Sequence, residues 1–492
     1  MTKLHYILYT LTFFLFVTFF SCKDNYDNYS TSSNDILSFS VDTLSFDTLF
    51  SSIGSTTKTF MIYNKHKDPL LISSIGFLHG NRGFRINVPP ERMDNEGNFI
   101  DVQINSKDSL YVFVEATLAQ NSTNMPQYQT DEIIFTTNGV RQSVLLEAYG
   151  QDVVILRAKV FDESFTLSNE KPYLVYDSLT INENVTLTIP EGTTFYMQSK
   201  SWLKILGNIK ATGTHQQPIT FRGYRMDYLI DIPYDRVPGQ WDGLWFAESS
   251  YNNEFEYVHI RNGMVAMQFE SADPEILKLK LKNSVLTNVN GNLVSAENCH
   301  IIFENSELSN ASGALAYLRG GKYSFTQCTL ANYLPAWNGL MTTGQTVAFY
   351  NYVFDENKDK ILSSLDVSFF NSIIYSSNTK AGEFSINEDD EDNAMLDYKF
   401  QNCLLLKKDG QNDGEKLIDC TFNEDPIFVK SKPEKLDQPG EYDYVFDFRP
   451  DSISPAIGKG DISIAIKLPY DINGISRLED SGPDMGAYEW IK

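Results

Sequence analysis

Hydrophobic residues recur along this chain in runs of strand length. Between positions 175 and 221 the runs Val175–Ile181, Val185–Ile189, Thr194–Met197, Trp202–Leu206 and Ile219–Phe221 follow one another. Only a few turn residues separate them, such as Pro190-Glu191-Gly192 and Gly207-Asn208. No helical period intervenes, so the pattern predicts consecutive strands. Such a series fits a meander, a barrel or a solenoid, and a repeat must decide among them.

A repeat is present. Leu279-x-Leu281-x-Asn283-Ser284-x-Leu286 is followed by Ile301-x-Phe303-x-Asn305-Ser306-x-Leu308 and Tyr323-x-Phe325-x-Gln327-Cys328-x-Leu330, at offsets of 22 and 22 residues. The template returns at Val347-x-Phe349-x-Asn351-Tyr352-x-Phe354, Val367-x-Phe369-x-Asn371-Ser372-x-Ile374 and Tyr398-x-Phe400-x-Asn402-Cys403-x-Leu405, at offsets of 24, 20 and 31. A degenerate copy begins at Phe255, and Asn262, Asn288, Asn310 and Asn332 each fall two residues after the last apolar position. In a coil of about 22 residues alternate side chains point inward, and coils stack at roughly 4.8 Å, so equivalent residues form columns. Asn at a repeated turn can then bond its neighbours above and below. Ser284, Ser306, Cys328, Ser372 and Cys403 are expected to share an interior column, with Tyr352 marking a distorted coil. Phe303, Phe325, Phe349, Phe369 and Phe400 are expected to form one stack. On this count Cys328 and Cys403 lie three coils and roughly 14 Å apart, beyond disulfide reach.

Upstream, from Leu37 to Asp152, the β-rich runs Leu44–Phe50, Thr59–Tyr63, Leu70–Ile75, Leu110–Val114, Glu132–Thr136 and Val144–Tyr149 are separated by Gly, Asn, Asp and Pro. Their number and spacing suit a two-sheet sandwich, with no catalytic constellation in it.

Composition agrees with an all-β chain. Of 492 residues 42% are hydrophobic and 13% aromatic, enough for several cores. The formal charge of −24 repels phosphate backbones, which excludes nucleic acid as the expected partner. Five cysteines make no disulfide framework, and Cys299, Cys328, Cys403 and Cys420 fit no zinc or CxxC spacing. They read as small buried apolar residues.

The first residues point to a compartment. Lys3 and His5 precede the apolar run from Tyr6 to Phe20, which has signal-peptide length. The ending Phe19-Phe20-Ser21-Cys22 resembles a bacterial lipobox, which implies cleavage before Cys22 and lipidation of that residue; an ordinary secretory signal is the competing reading. Lys23–Asn28 resembles the acidic export tether of Bacteroidetes-type surface lipoproteins. Acyl chains contribute about 0.8 kcal/mol per buried methylene, so a multiply acylated Cys22 would hold the chain at a membrane.

The stretch from Phe46-Asp47-Thr48 through Ile62-Tyr63-Asn64 to Thr136–Gly139 resembles the immunoglobulin-like domain that precedes a β-helix in such lipoproteins. Pro238-Gly-Gln-Trp-Asp-Gly-Leu-Trp-Phe246, with Phe255–Asn262, resembles the first coils of right-handed parallel β-helix proteins of the pectate-lyase-like type. Asp425–Phe428, Ser454–Gly458 and Gly482–Glu489 resemble their closing segment. The implied organisation is a signal peptide (1–21), a tether (22–36), an immunoglobulin-like sandwich (37–152), a right-handed parallel β-helix (153–420) and a closing segment (421–492). That fold hosts lyases, hydrolases and adhesins, so it leaves the activity open.

Glycoside hydrolysis needs two facing carboxylates. The one Asp-Asp pair, Asp389-Asp390, lies with Asp392 in an acidic insertion, Gly-His-Gly is absent, and no column of acids stands out at matching coil positions. Asp389, Asp390 and Asp392 are candidate oxygen ligands for calcium, although charge runs are ordinarily solvated loops, and no other cofactor is expected. His259 and His300 belong to no metal pattern. Trp202, Trp241, Trp245 and Trp337 can stack on sugars, but Trp241 and Trp245 sit in a coil-start motif where packing competes. The loop from Arg225 to Gly239, with Asp227, Asp231, Asp235 and Arg236 near Trp241, is the best place for a hidden site; a capping loop with solvated charges is the alternative. The expected function is a non-catalytic outer-membrane surface lipoprotein whose β-helix binds a glycan or an envelope protein. The alternatives are a polysaccharide lyase or glycoside hydrolase with a non-standard site, and an accessory subunit of an outer-membrane complex.

Overall fold

The computed structural model describes residues 28–89, 92–229, 232–334, 346–377, 384–387, 396–407, 414–435, 442–479 and 482–491. The lipobox, Asp231, Trp337 and the acids 389, 390 and 392 lie outside these residues. The chain divides into two compact units after Asp152.

The first unit is a β-sandwich. One sheet has the order Ser38–Phe39, Lys58–Tyr63, Ser109–Ala116, Phe84–Asn87. The other has the order Thr43–Phe50, Val140–Gln151, Gln127–Thr137, Leu70–Phe77, Phe99–Ile104. Alternate residues such as Phe60, Ile62, Ile72, Val112, Val114, Ile133 and Phe135 fill the space between them.

The second unit is a right-handed parallel β-helix. Among the described residues its wall consists of an eleven-stranded and a seventeen-stranded parallel sheet. Leu286, Leu308 and Leu330 are register partners on successive coils 22 residues apart, as the repeat predicts. Phe303, Phe325, Phe369 and Phe400 form one buried stack, with ring centroids 4.5, 4.5 and 4.8 Å apart and planes within 5° of parallel. Ser284, Ser306, Cys328, Ser372 and Cys403 are all fully buried in one column. There the hydroxyls accept from the backbone of the coil below: Ser284 Oγ from Val258 N at 3.0 Å, Ser306 Oγ from Ser284 N at 3.1 Å, and Ser372 Oγ from Cys328 N at 3.1 Å.

The copy at Val347 departs from expectation. Val347–Tyr350 is a strand, but Phe349 is in register with Leu318 rather than Phe325. Phe325 pairs directly with Phe369. Tyr352–Phe354 turns back against Lys360–Leu362 as an antiparallel hairpin outside the wall. Two expected coils are therefore one coil of 44 residues, from Leu330 to Ile374. Phe349 leaves the stack, and Cys328 and Cys403 lie two coils apart, separated only by the coil of Ser372.

Asn recurs for a conformational reason as well as for its side chain. Asn283, Asn305, Gln327, Asn371 and Asn402 all turn the corner with φ between 46° and 54°, the left-handed region that Asn tolerates. One rung of the expected amide ladder exists: Asn305 Nδ2 donates to Asn283 Oδ1 at 2.7 Å. Higher up, the amides hold the closing segment instead. Gln327, Asn371 and Asn402 donate to the carbonyls of Leu468, Asp461 and Lys459. Asn305 Oδ1 accepts from the buried Arg477, which also pairs with Glu489 at 2.9 Å. Gly486 lies at φ +101° with Thr329 Oγ1 and Ile373 crowding where a Cβ would stand, so the Gly-Ala-Tyr-Glu motif seats its backbone directly on the sheet.

No helix among the described residues is long and apolar enough to cross a membrane. The register carries a quantitative expectation. Phe325→Ala should destabilise the β-helix by about 3–5 kcal/mol in urea unfolding, whereas a change under about 1 kcal/mol would place the ring outside the wall.

Candidate functional site

Inward positions of the eleven-stranded sheet are filled by Phe195, Phe221, Ile260, Leu286, Leu308 and Leu330. The alternate positions therefore face outward, in two columns. One runs Thr220, His259, Val285, Glu307, Thr329, Ile373. The other carries Tyr196 and Arg222 on the early coils and Arg261, Thr287, Ser309, Ala331 and Tyr375 on the later ones. The closing segment covers the later coils: Phe428, Phe448, Ala456 and Met485 pack on Ala331, Ile373, Tyr375 and Leu404. Over the earlier coils lies the loop containing the 3₁₀ turn Tyr234–Arg236, tied down by Asn262 Nδ2, which donates to the carbonyls of Asp235 and Val237. Between loop and segment a cavity of about 250 Å³ opens on the sheet.

One end of the cavity is ionic. Asp235 lies 3.0 Å from each of Arg222, Arg236 and Arg261, so three guanidinium groups share one carboxylate. Burial lowers the Arg261 pKa, and the charges of Arg222 and Arg236 add to the effect against Asp235. The floor is polar: Thr287, Asn288, Ser309 and Asn310 line it with Glu307. Glu307 is buried, and accepts hydrogen bonds from Tyr488 Oη and, at 2.7 Å, from Ser309 Oγ. Burial raises its pKa above the usual carboxylate value although both bonds oppose the shift. The far wall is apolar, built by Leu334, Val445, Phe446 and Phe448 with Tyr444. An apolar wall facing a few convergent polar groups is the usual make-up of a small-molecule or sugar site.

A second cluster lies on the seventeen-stranded sheet. His300, Lys322, Asp366 and Asp397 are register partners on successive coils. This corrects the expectation that no acids match between coils: Asp366 and Asp397 each precede the first template residue, a position the eight-residue template leaves out. Burial first, and then the Asp397 charge, raise the Asp366 pKa against Lys322 and His300. Lys322 is also bound by Glu275 at 2.7 Å.

Of the sequence candidates, Asp235 and Arg236 line the first cavity. Trp241 does not: it is fully buried, with Nε1 donating to Arg261 O at 2.8 Å, and so serves packing rather than sugar stacking. Trp245 sits on the seventeen-stranded sheet, in register with Lys204 and Gln268, apart from the cavity. Sequence reasoning missed Arg222, Arg261, Glu307 and the aromatic wall. Among the described residues no group of three or more His, Cys, Asp or Glu is arranged to hold a metal ion. Burial pushes the thiols of Cys299 and Cys328 up to about 12, consistent with buried apolar roles.

No protein-family model matches the chain, and no curated protein matches its sequence. Among solved structures, the ASH/PapD-like domain of human CEP192 aligns with 25% of this chain and 89% of its own, at 11% identity and a TM-score of 0.17. A family 123 glycoside hydrolase from Clostridium perfringens aligns over 26% of each chain, at 9% identity and a TM-score of 0.18. The catalytic domain of a GH87 alpha-1,3-glucanase in complex with tetrasaccharides aligns with 75% of this chain and 76% of its own, at 10% identity and a TM-score of 0.25. Structural neighbours thus include glycoside hydrolases.

His259, two residues before Arg261 on the eleven-stranded sheet, gives a pH signature. Burial, then the charges of Arg261 and His215, lower its pKa to about 4. The folded chain therefore keeps the ring neutral, while the unfolded chain takes up a proton near pH 6.5. Stability should fall as pH drops from about 6.5 towards 4, by at most about 1.4 kcal/mol per pH unit. His259→Gln should remove that part of the slope in urea unfolding at pH 7, 5.5 and 4.5.

Proposed function

We propose that this chain is an outer-membrane surface lipoprotein, anchored through lipid on Cys22, whose β-helix binds a glycan in the cleft between the 3₁₀ loop and the closing segment. The observation that carries the binding role is the composition of that cleft: Arg236, Arg261 and Asp235 at one end, hydroxyls, amides and the buried Glu307 on the floor, and Phe446 and Phe448 on the wall. Sugar rings present apolar faces and hydroxyl edges, and this cleft offers partners for both. Anchoring is supported by the lipobox resemblance.

A second reading, cleavage of a polysaccharide bound on the opposite, seventeen-stranded face, is favoured by Asp366 and Asp397, which stand on adjacent coils beside His300 and Lys322. Reducing ends or unsaturated products that vanish in Asp366→Asn would establish it.

Two measurements test the main proposal. Palmitate should label the wild-type chain and not Cys22→Ala, and equal labelling would remove the anchor. In a panel of immobilised neutral and acidic polysaccharides, Cys22→Ala protein should retain at least one. Adding Arg236→Ala should weaken that binding by about 1.5–3 kcal/mol, the range for a hydrogen bond to a charged group. Unchanged binding by the arginine variant would move the ligand elsewhere.

A further inference from the structure

The small interior column ends in two thiols on adjacent coils. Asn402 N donates to Ile418 O at 2.9 Å and Thr421 N to Cys403 O at 2.8 Å, while Gln401 pairs with Ile418 and Leu404 with Thr421. Register is therefore continuous on both sides of Cys403 and Cys420, which occupy equivalent positions. Asn402 and Asp419 turn the preceding corner with φ of 50° and 49°, so both cysteines leave the corner in the same direction. Cys403 is fully buried, and Cys420 packs against the same interior core while remaining partly exposed. Strand spacing puts their Cα atoms about 4.8 Å apart, inside the range of about 4.4–6.8 Å that a disulfide spans. Cys328, by contrast, is separated from Cys403 by the whole coil of Ser372.

We propose that Cys403 and Cys420 are an oxidative modification site, closed to a disulfide by exchange with a disulfide-bearing carrier. The partly exposed Cys420 loses its proton and attacks a carrier sulfur, giving a mixed disulfide and one carrier thiolate. Cys403 then gives up its proton and attacks Cys420 Sγ, forming the internal bond and releasing the second carrier thiolate. Two electrons and two protons pass from the cysteine pair to the carrier. The bond would staple the final coil to the one beneath it. That lower coil holds the closing segment, through Asn402 to Lys459 O and Gln401 to Asp461.

Oxidised glutathione is the probe, applied to the folded full-length chain carrying Cys22→Ala, with thiols alkylated after denaturation and peptides mapped by mass. Two of the four remaining thiols should be lost, in a single cross-linked peptide pair containing Cys403 and Cys420. Cys420→Ser should keep all its thiols, and Cys299→Ser should still lose two. Full retention of thiols, a cross-link between another pair, or glutathione left on Cys420 without internal closure would each overturn the assignment.

Discussion

Every outward feature of the second unit depends on the in-register parallel stacking of its coils. The period of a strand is two, so a slip of one residue would send Phe303, Phe325, Phe369 and Phe400 to solvent and bring Glu307 and Arg261 into the core. The aromatic stack and the serine–cysteine column oppose that slip from inside. Serine hydroxyls satisfy backbone donors at the corner, where strand pairing is interrupted. With register fixed, the outer face becomes a set of columns whose chemistry is determined coil by coil.

The corner amides convert this wall into a site. Asn283 and Asn305 bond one another, but Gln327, Asn371 and Asn402 turn their amides to the closing segment. Arg477, Glu489 and Asp484 complete a buried polar clip, in which Asp484 accepts from Gly458 N and Trp490 N at 2.7 Å. A buried pair of this kind costs desolvation, offset here by the bonds of the two Arg477 Nη groups to Glu489, Asn305 and the Gly486 carbonyl. Its effect is positional: Phe446, Phe448 and Tyr488 are held over Thr287, Glu307 and Ser309. The same covering that excludes water from Glu307 raises its pKa.

The interior was legible in the sequence because alternation within a 22-residue repeat identifies inward residues directly. The Val347 copy shows the limit: its alternation is real, since it is a strand, but alternation does not say which part of a coil a strand joins. The hairpin Tyr352–Leu362 then hid the fact that one coil spans 44 residues. Asp235 and Arg236 were visible as charges near a coil start. Glu307 was not, because its column also contains Val285, Thr329 and Ile373, and it becomes part of a site only when Tyr488, 181 residues later, closes over it. Trp241 offered both packing, from its coil-start motif, and a sugar platform, from the charges beside it, and its indole is the inward filler of that coil.

In the proposed binding mode the ligand lies on the outer face of the eleven-stranded sheet beneath the closing segment. Hydrogen–deuterium exchange, with and without a polysaccharide retained in the binding panel, tests it most directly. Ligand-dependent protection should be confined to residues 234–237, 285–289, 307–311 and 444–448. Protection mapped instead to the sandwich, or to the face bearing Asp366 and Asp397, would contradict it.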